Sequence, residues 1–262
     1  MRFAVNIPPF TDANSVLNMA VEAERAGWDA VFLWDHVQWD PKDELDVHDP
    51  WTLLGAIAAR TDRVLLGTAV TPIARRRPWI LAKQLVTLDH LSGGRAMLGV
   101  GLGAPDHADF GAFGDIEDPK ERAVILDDGL ELIEALLTGD PVHHLGPGFT
   151  VDAQLRPSPV QKPRPPIFAA GFVPNRRPLE RALRYDGFFP LGGSSLLSPQ
   201  ELAEFLNGIE RPDNWDVFTS LAPGYSVAEW EEAGATWLVE SAWPSGDWEA
   251  ELTGRIKTGP PT

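Results

Sequence analysis

The chain alternates from end to end between short apolar runs and longer amphipathic stretches. The runs are rich in β-branched and aromatic residues, as buried strands are, and the stretches carry apolar residues at the spacing of a helix. Eight strand–helix pairs follow one another. Strands are predicted at residues 3–7, 30–34, 64–70, 96–101, 166–170, 187–191, 217–220 and 236–240. Helices are predicted at residues 12–26, 50–60, 79–91, 119–137, 178–185, 199–207, 226–234 and 246–257.

Strict alternation of this kind predicts an α/β fold with parallel strands and right-handed crossovers. Eight units in 262 residues match a closed (β/α)8 barrel, or TIM barrel, which needs ~250 residues. We therefore predict a single compact TIM-barrel domain over residues 1–262 with short late loops. An open doubly wound sheet is the alternative, which the even spacing of the strands disfavours. Residues 139–165, rich in Pro and Gly, are predicted to form a long irregular connection.

Composition excludes several classes of function. The net charge is −16, whereas nucleic-acid binding needs a basic surface. The chain has no cysteine, so thiolate metal sites and cysteine nucleophiles are excluded. It has no apolar run of ~18 residues for a membrane span, and its N-terminus lacks the layout of a signal peptide. We expect a cytoplasmic protein with neither nucleic acid nor membrane as its partner.

In a barrel of parallel strands, chemistry collects where the strands end. Asp35 and His36 follow the second strand and form the one titratable acid–base pair at a predicted strand end. A histidine there can exchange protons with a substrate near neutral pH, and a histidine that merely hydrogen-bonds the strand end is the alternative. Trp34 and Trp39 flank the pair and could line an aromatic pocket.

Basic residues concentrate in one part of this acidic chain, since residues 156–184 hold seven basic residues and one acid. Within this segment a strand ends at Gly171 and a short helix starts nearby, with Arg176 and Arg177 beside it. Backbone N–H groups and the dipole at a helix start favour an anion. An anion site is therefore predicted, with a solvated helix face as the alternative. Residues 75–77, three arginines, are expected to extend the positive rim, with a position in solvent as the alternative.

The fourth strand carries Gly99, Gly101 and Gly103. Their spacing only superficially resembles a dinucleotide fingerprint, because no acid follows at the required distance. Close approach of the backbone to a flat or phosphorylated ligand is the other interpretation.

Two further polar groups are interpreted without a metal, and no metal site is expected. Asp106, His107 and Asp109 could bind a metal, but a mobile lid is the favoured interpretation. His143 and His144 lie in the irregular connection without partners at ligand spacing.

Five stretches of the chain carry motifs that follow one another in the order of a known family. They lie at residues 26–36, 68–72, 88–101, 159–167 and 182–187. The most specific of them contains Leu-Ser-Gly-Gly-Arg at residues 91–95, just before the glycine-rich fourth strand. Together they resemble the luciferase-like (bacterial luciferase-type) family of flavin- and deazaflavin-dependent oxidoreductases. The resemblance covers about residues 1–195 of the chain.

The resemblance implies a TIM barrel that binds FMN or the deazaflavin coenzyme F-420 (F420) at its C-terminal mouth. It implies a cis peptide between Ala69 and Val70 that supports the cofactor ring. It also implies a catalytic role in proton transfer for His36, with Asp35 orienting it or lining the site. The residues expected to bind the cofactor are Asn6, Thr68, Ala69, Val70, Gly101, Gly103, Gly171, Phe172, Asn175, Arg176 and Arg177.

The implied function is that of an oxidoreductase or monooxygenase acting on a small organic substrate. We favour F420 over FMN, because a large basic rim suits the phosphodiester and polyglutamyl tail of F420. A homodimer through residues 50–60 and 79–91, and a reductase that supplies reduced cofactor, are the implied partners. Hydride transfer and oxygenation both stay open.

Two departures from the family pattern support an alternative, a non-catalytic or degenerate flavin-binding barrel. The family's sugar-phosphate dehydrogenases carry a glutamate after the Gly-x-Gly of the fourth strand, where this chain has Ala104. The chain is also short for the family.

Overall fold

Parallel strands close into a barrel in the computed structural model, which describes residues 1–193 and 195–261. The strands are β1 (Arg2–Ile7), β2 (Ala30–Leu33), β3 (Leu65–Thr68), β4 (Thr71–Pro72), β5 (Leu98–Gly101), β6 (Pro141–Leu145), β7 (Thr150–Gln154), β8 (Ile167–Phe172), β9 (Gly187–Leu191), β10 (Asp216–Ser220) and β11 (Trp237–Ser241). The order round the barrel is β3, β2, β1, β11, β10, β9, β8, β5, β4. Because β3 and β4 are halves of one broken strand, and Leu66 bridges to Ala96 just before β5, the sheet closes. The predicted TIM barrel is confirmed.

Helices connect most of the strands, and all but α4, which belongs to the loop after β5 at the mouth, pack on the outside of the barrel. They are α1 (Ala13–Ala26), α2 (Pro50–Ala58), α3 (Pro78–Ser92), α4 (Asp106–Asp109), α5 (Pro119–Leu137), α6 (Arg176–Ala182), α7 (Pro199–Leu206), α8 (Val227–Glu232) and α9 (Trp248–Thr258). Asp12 caps α1 with its carboxylate, and Ser198 and Ser226 form capping boxes with Glu201 and Glu229. None of the helices in the described ranges is both long and apolar enough to cross a membrane.

Aromatic side chains fill the interior of the barrel. The rings of Phe168 and Phe218 are stacked with their centroids 4.3 Å apart, and Trp237 stacks on Phe218 at 5.4 Å. Small residues such as Ala4 and Ala30 leave room for these rings. Arg2 closes the bottom, with its guanidinium 4.2 Å above the ring of Trp237. The interior is a packed core, so a ligand site lies above it, at the mouth.

The segment predicted as a long irregular connection contains an antiparallel hairpin of β6 and β7. Asp128 of α5 holds its turn, since one carboxylate oxygen lies 2.8 Å from His144 Nε2. The other accepts the N–H groups of Gly148 and Phe149, each at 2.8 Å. The prediction of irregular structure is therefore wrong for these two strands. They are short and polar, and their order depends on a contact with a distant helix that local periodicity does not reveal.

The family-specific segment at residues 91–95 lies at the bottom of the barrel, away from the strand ends that form the mouth. The guanidinium of Arg95 donates to the carbonyl oxygens of Ala58, Thr61, Val64 and Ser92, at 2.7–3.3 Å. These bonds tie the ends of α2 and α3 to the start of β3. The most specific sequence signal therefore reports a structural contact.

Substituting Arg95 with lysine keeps the charge but removes most of these hydrogen bonds and leaves buried carbonyls unpaired. We expect Arg95→Lys to lower the free energy of unfolding in urea by about 3 kcal/mol, because hydrogen bonds to a charged group contribute ~1.5–3 kcal/mol each and do not add. Arg60→Lys, at an exposed position after α2, is the matched control and should change it by less than ~0.5 kcal/mol. Equal effects of the two substitutions would contradict this role of Arg95.

Candidate functional site

Asp35 follows β2, and its buried carboxylate holds two arginines of the segment after β4. Arg75 donates to Oδ1 over 2.8 Å, and Arg76 donates to both oxygens over 2.7 and 3.0 Å. Thr71 Oγ1 donates to Oδ2 over 2.6 Å. Asp35 thus ties the ends of neighbouring barrel strands together, and these contacts take its carboxylate away from His36.

The carboxylate that orients His36 is that of Asp109, at the end of α4. Nδ1 of His36 lies 3.2 Å from Oδ2 of Asp109, while Oδ1 accepts the N–H groups of Val37 and Gln38 at 2.7 and 3.2 Å. Arg75 also pairs with Oδ2. Because an ionised carboxylate only accepts hydrogen bonds, Nδ1 carries the proton, and Nε2 is the ring atom left to exchange one with a substrate.

Asp109 stays ionised in spite of its burial. Burial raises the pKa of this carboxyl. The hydrogen bond from His36, the charges of Arg75 and His36, and the N–H of Val37 together lower the pKa by more than burial raises it. The net result is a pKa below the ordinary value of 3.8. The prediction that Asp109 belongs to a mobile lid is wrong, because its side chain is fully buried and paired.

An aromatic wall, formed by Phe10, Trp34, Trp39 and Trp243, surrounds one side of His36. Ring centroids of Trp39, Phe10 and Trp34 lie 4.9, 5.7 and 6.0 Å from the imidazole. Trp243, which follows β11, packs edge-on against Trp39 and Trp34 at 5.3 and 5.7 Å. The side chain of His36 is 13% exposed, so the wall leaves it a narrow opening at the mouth.

The peptide bond between Ala69 and Val70 is cis, as the family resemblance implies, and separates β3 from β4. Nδ2 of Asn6 donates to the carbonyl oxygen of Ala69 over 3.0 Å. Oδ1 of Asn6 is buried and has no hydrogen-bond partner among residues 1–193 and 195–261. Thr68 donates through Oγ1 to the carbonyl of Gly99 at 3.2 Å, inside the barrel wall. Asn6 and the cis peptide therefore adjoin, and Thr68 faces a neighbouring strand.

The glycines of β5 fit tightly against neighbouring strands. A Cβ on Gly99 would collide with the carbonyl oxygen of Thr68, and one on Gly101 would lie 2.7 Å from Cγ2 of Val70. Gly103 has a φ of +79°, which L side chains rarely adopt. Packing within the protein thus accounts for this glycine pattern, and cofactor contact for Gly101 and Gly103 stays a prediction.

The end of β8 and the loop after it bring Gly171, Phe172 and Asn175 to the start of α6. A Cβ on Gly171 would collide with Pro178, so the glycine lets α6 pack directly on the strand end. The N–H of Asn175 donates to the carbonyl of Phe172 over 3.0 Å, and the ring of Phe172 is half exposed. This loop lies at the mouth, across the barrel from the aromatic wall.

The basic segment divides into paired and unpaired residues. Arg164, Arg181 and Arg184 pair with Asp127, Glu131, Glu134 and Asp186 on the outside of the barrel. Arg176 lies over the ring of Phe205 at 5.0 Å, and Arg177 is exposed. Within the described residues neither of these two makes an ion pair. Only part of the predicted basic concentration is therefore available to an anion.

The prediction that residues 75–77 extend a positive rim is wrong. Arg75 and Arg76 turn inward to buried carboxylates, and the guanidinium of Arg77 lies 5.6 Å from the ring centroid of Trp79. Two of the three charges are thereby neutralised at the base of the site.

Sequence reasoning missed four residues of the site: Asp109 as the partner of His36, Thr71, Phe10 and Trp243. Asp109 lies in the loop after β5, so its place at the same end of the barrel is a signal that points to it. The pairing itself depends on the path of that loop across the mouth.

Replacing Asp109 with asparagine tests the ionised pair. We expect Asp109→Asn to be less stable than the wild type by about 3 kcal/mol at about pH 6, because it leaves a buried arginine partly uncompensated. Since the native pKa of Asp109 is lowered, this stability is complete above the ordinary value of 3.8 and is lost as the pH falls through the native pKa. Chemical unfolding over a pH series measures the difference, with the exposed Asp115→Asn as control. A difference that does not shrink in acid would refute this assignment.

A family model for luciferase-like monooxygenases matches residues 1–211. The F420-dependent glucose-6-phosphate dehydrogenase of Nakamurella multipartita is 34% identical over 205 residues, 76% of this chain and 58% of that protein. That of Segniliparus rotundus is 36% identical over 182 residues, 68% of this chain and 53% of that protein. The chain thus spans about half the length of the curated relatives it matches.

Solved structures with the same fold cover almost the whole chain. An F420-dependent secondary alcohol dehydrogenase with an F420–acetone adduct has a TM-score of 0.78 at 17% identity, covering 97% of both chains. The coenzyme F420 dependent tetrahydromethanopterin reductase of Methanopyrus kandleri has a TM-score of 0.75 at 17% identity, covering 98% of both. At these identities the likeness concerns the fold. Because the family model spans most of its length, this chain belongs to the luciferase-like monooxygenase family.

Proposed function

We propose that this chain is an oxidoreductase that binds F420 at the mouth of the barrel, with His36 as its proton-transfer residue. The observation that carries the proposal is the pair of His36 with the buried, ionised Asp109. A fixed imidazole with one free nitrogen at a barrel mouth suits acid–base work on a substrate oxygen. Several relatives, named F420-dependent dehydrogenases, support the choice of reaction.

The residues at the mouth fit a flat cofactor with a hydrogen-bond donor on its ring. Oδ1 of Asn6 is a buried acceptor without a donor in the described residues, and Asn6 adjoins the peptide of Ala69 and Val70. These three residues would hold the ring, and the loop from Gly171 to Arg177 would hold the anionic part. The chemistry that F420 supplies when bound is two-electron hydride transfer.

His36 acts through Nε2, because Asp109 retains the proton on Nδ1. A hydroxyl of the substrate would give its proton to Nε2, and the reverse reaction would return it. The resulting imidazolium is stabilised by the ionised Asp109. Asp35 contributes from beneath by holding Arg75 and Arg76, and through Arg75 the position of Asp109.

F420 is preferred to FMN on grounds of charge. FMN needs only a phosphate loop, whereas the two exposed arginines Arg176 and Arg177 also suit the phosphodiester and the longer anionic tail of F420. Oxygenation with FMN, the reaction for which the family is named, is the second candidate. A non-catalytic, cofactor-binding barrel is the third.

A second copy of the chain and a reductase are the further partners that we propose. The resemblance supports a homodimer through α2 and α3, and Ile80 and Leu91 of α3 are exposed apolar residues that such a contact would cover. A reductase that supplies reduced cofactor and a cytoplasmic location rest on the same resemblance and on composition.

Removing the imidazole separates a catalyst from a binding barrel. We expect His36→Ala to lower kcat for F420 reduction about 100- to 10,000-fold with any substrate that the wild type oxidises, because general base catalysis is lost. The dissociation constant of F420 should stay within about threefold, since the residues proposed to hold it are unchanged. The absorbance of F420 follows turnover, and fluorescence titration gives its affinity.

The control for this variant is His143→Ala, an exposed histidine on the hairpin. It should leave kcat and F420 affinity unaltered. Full activity of His36→Ala would eliminate the proposed role, and binding of FMN with no binding of F420 would favour the second candidate.

Removing the two exposed arginines tests the proposed cofactor loop. We expect the double variant Arg176→Ala, Arg177→Ala to bind F420 about tenfold more weakly than the wild type at low salt, because each exposed ion pair contributes up to ~1 kcal/mol. The loss should shrink as salt is added, since exposed charges are screened. Titration of F420 and FMN over a salt series measures it, with Arg184→Ala, which pairs on the outside, as control. Unchanged affinity for F420 would rule out this placement.

A further inference from the structure

The short helix α4 carries Asp109, the residue that orients His36. It has four residues and so a single turn, and a helix of that length is not stable by itself. The distance from Nδ1 of His36 to Oδ2 of Asp109, 3.2 Å, is at the upper end of the range for a hydrogen bond. A small shift of α4 would therefore break this contact, so whatever fixes α4 also fixes the imidazole.

Arg122, near the start of α5, contacts α4 at both of its ends. Its guanidinium pairs with Asp106, the first residue of α4. It also lies 4.1 Å from the ring centroid of Phe110, the residue directly after Asp109. The guanidinium of Arg75, which pairs with Asp109, lies 5.7 Å from the same ring. Arg122 therefore joins α4 to a long helix of the barrel.

The burial of Arg122 is not explained by stability. Its side chain is 1% exposed, and Nε and Nη1 have no hydrogen-bond acceptor among residues 1–193 and 195–261. It also lies near the N-terminus of α5, where the helix dipole disfavours a cation. An apolar side chain of similar size would avoid both costs. Asp106 is 56% exposed, so water can solvate its carboxylate without Arg122.

We propose that Arg122 is a positioning residue, which fixes α4 and thereby keeps Asp109 against His36. Phe110 and Asp106 carry this effect, because they are the points at which its guanidinium meets α4. Cation–π and ionic contacts thus hold a segment that is too short to hold itself. The inference rests on the proposed function for the role of His36 in proton transfer, but the imidazole is oriented before any cofactor binds.

The tautomer of His36 tests this role in the protein without cofactor or substrate. Long-range 1H–15N NMR under alkaline conditions, where an imidazole is neutral, distinguishes a proton on Nδ1 from one on Nε2. The wild type should carry it mostly on Nδ1. We expect Arg122→Met to raise the Nε2-protonated fraction about fivefold, the change that the loss of one hydrogen bond brings. Arg122→Lys, which keeps the charge, should restore most of the wild-type signal.

Stability and turnover separate positioning from a structural role. We expect Arg122→Met to unfold in urea at the same midpoint as the wild type or a higher one, yet to reduce F420 about tenfold more slowly at an unchanged KM for F420. Arg181→Met is the matched control, since Arg181 is also buried and donates to the half-exposed Asp127 over 2.6 and 3.1 Å on the outside of the barrel. It should unfold at a lower midpoint and leave the tautomer of His36 unaltered.

The outcomes keep the two proposals distinct. An unchanged tautomer in Arg122→Met, or the loss of stability seen in Arg181→Met without a tautomer shift, would overturn the positioning role. Should Arg122→Met fail to fold, Asp106→Asn at an exposed position is expected to shift the tautomer about twofold in the same direction, and no shift would overturn the role equally. A tautomer shift in a protein whose wild type does not turn over F420 would overturn the proposed function and leave the role of Arg122 standing.

Discussion

A buried network of two carboxylates and two arginines sets the geometry of the whole mouth. Asp35 and Asp109 share Arg75, and Arg76 joins through Asp35. Burial of ion pairs carries a large desolvation cost, so such a network adds little net stability even when every group is satisfied. Its consequence is positional: it links the loops after β2, β4 and β5 and leaves His36 one orientation. The orientation of His36 thus depends on buried groups of three loops and not on the imidazole alone.

The bottom of the barrel holds contacts that stabilise the fold, and its mouth holds the candidate site. At the bottom, Arg95 gathers carbonyl oxygens from three segments, and Arg2 closes the aromatic interior over Trp237. At the mouth, buried polar atoms such as Oδ1 of Asn6 and Nε1 of Trp34 stay without partners in the described residues. Unsatisfied groups destabilise a fold, and further orphaned atoms lie elsewhere in the described residues, on Gln84, Arg122, Trp230 and Trp237. Asn6 differs from these because it adjoins the cis peptide at the mouth, where a ligand would complete it.

Sequence reasoning recovered what depends on local periodicity and on the family pattern. Alternation predicted the barrel, and the resemblance implied the cis peptide at Ala69, both of which the structure confirms. The partner of His36 was missed because Asp109 lies 73 residues away and meets it only after the barrel closes. The adjacent Asp35 was predicted to orient His36 because it is the neighbouring acid in the sequence. In the structure its carboxylate bonds instead to Thr71, Arg75 and Arg76, which follow the next strands of the barrel. For the same reason Arg75 looked like surface charge and is buried.

Charge is distributed so that the mouth has two unlike sides. The loop after β8 carries Arg176 and Arg177 unpaired, while the acidic segment at 40–49 and the aromatic wall lie opposite. In a chain of net charge −16, cations without ion-pair partners on one side create a local positive potential, whereas the acidic segment repels anions. Under the proposed function, the anionic tail of the cofactor would therefore be drawn to the side of Arg176 and Arg177, across the mouth from His36 and the aromatic wall.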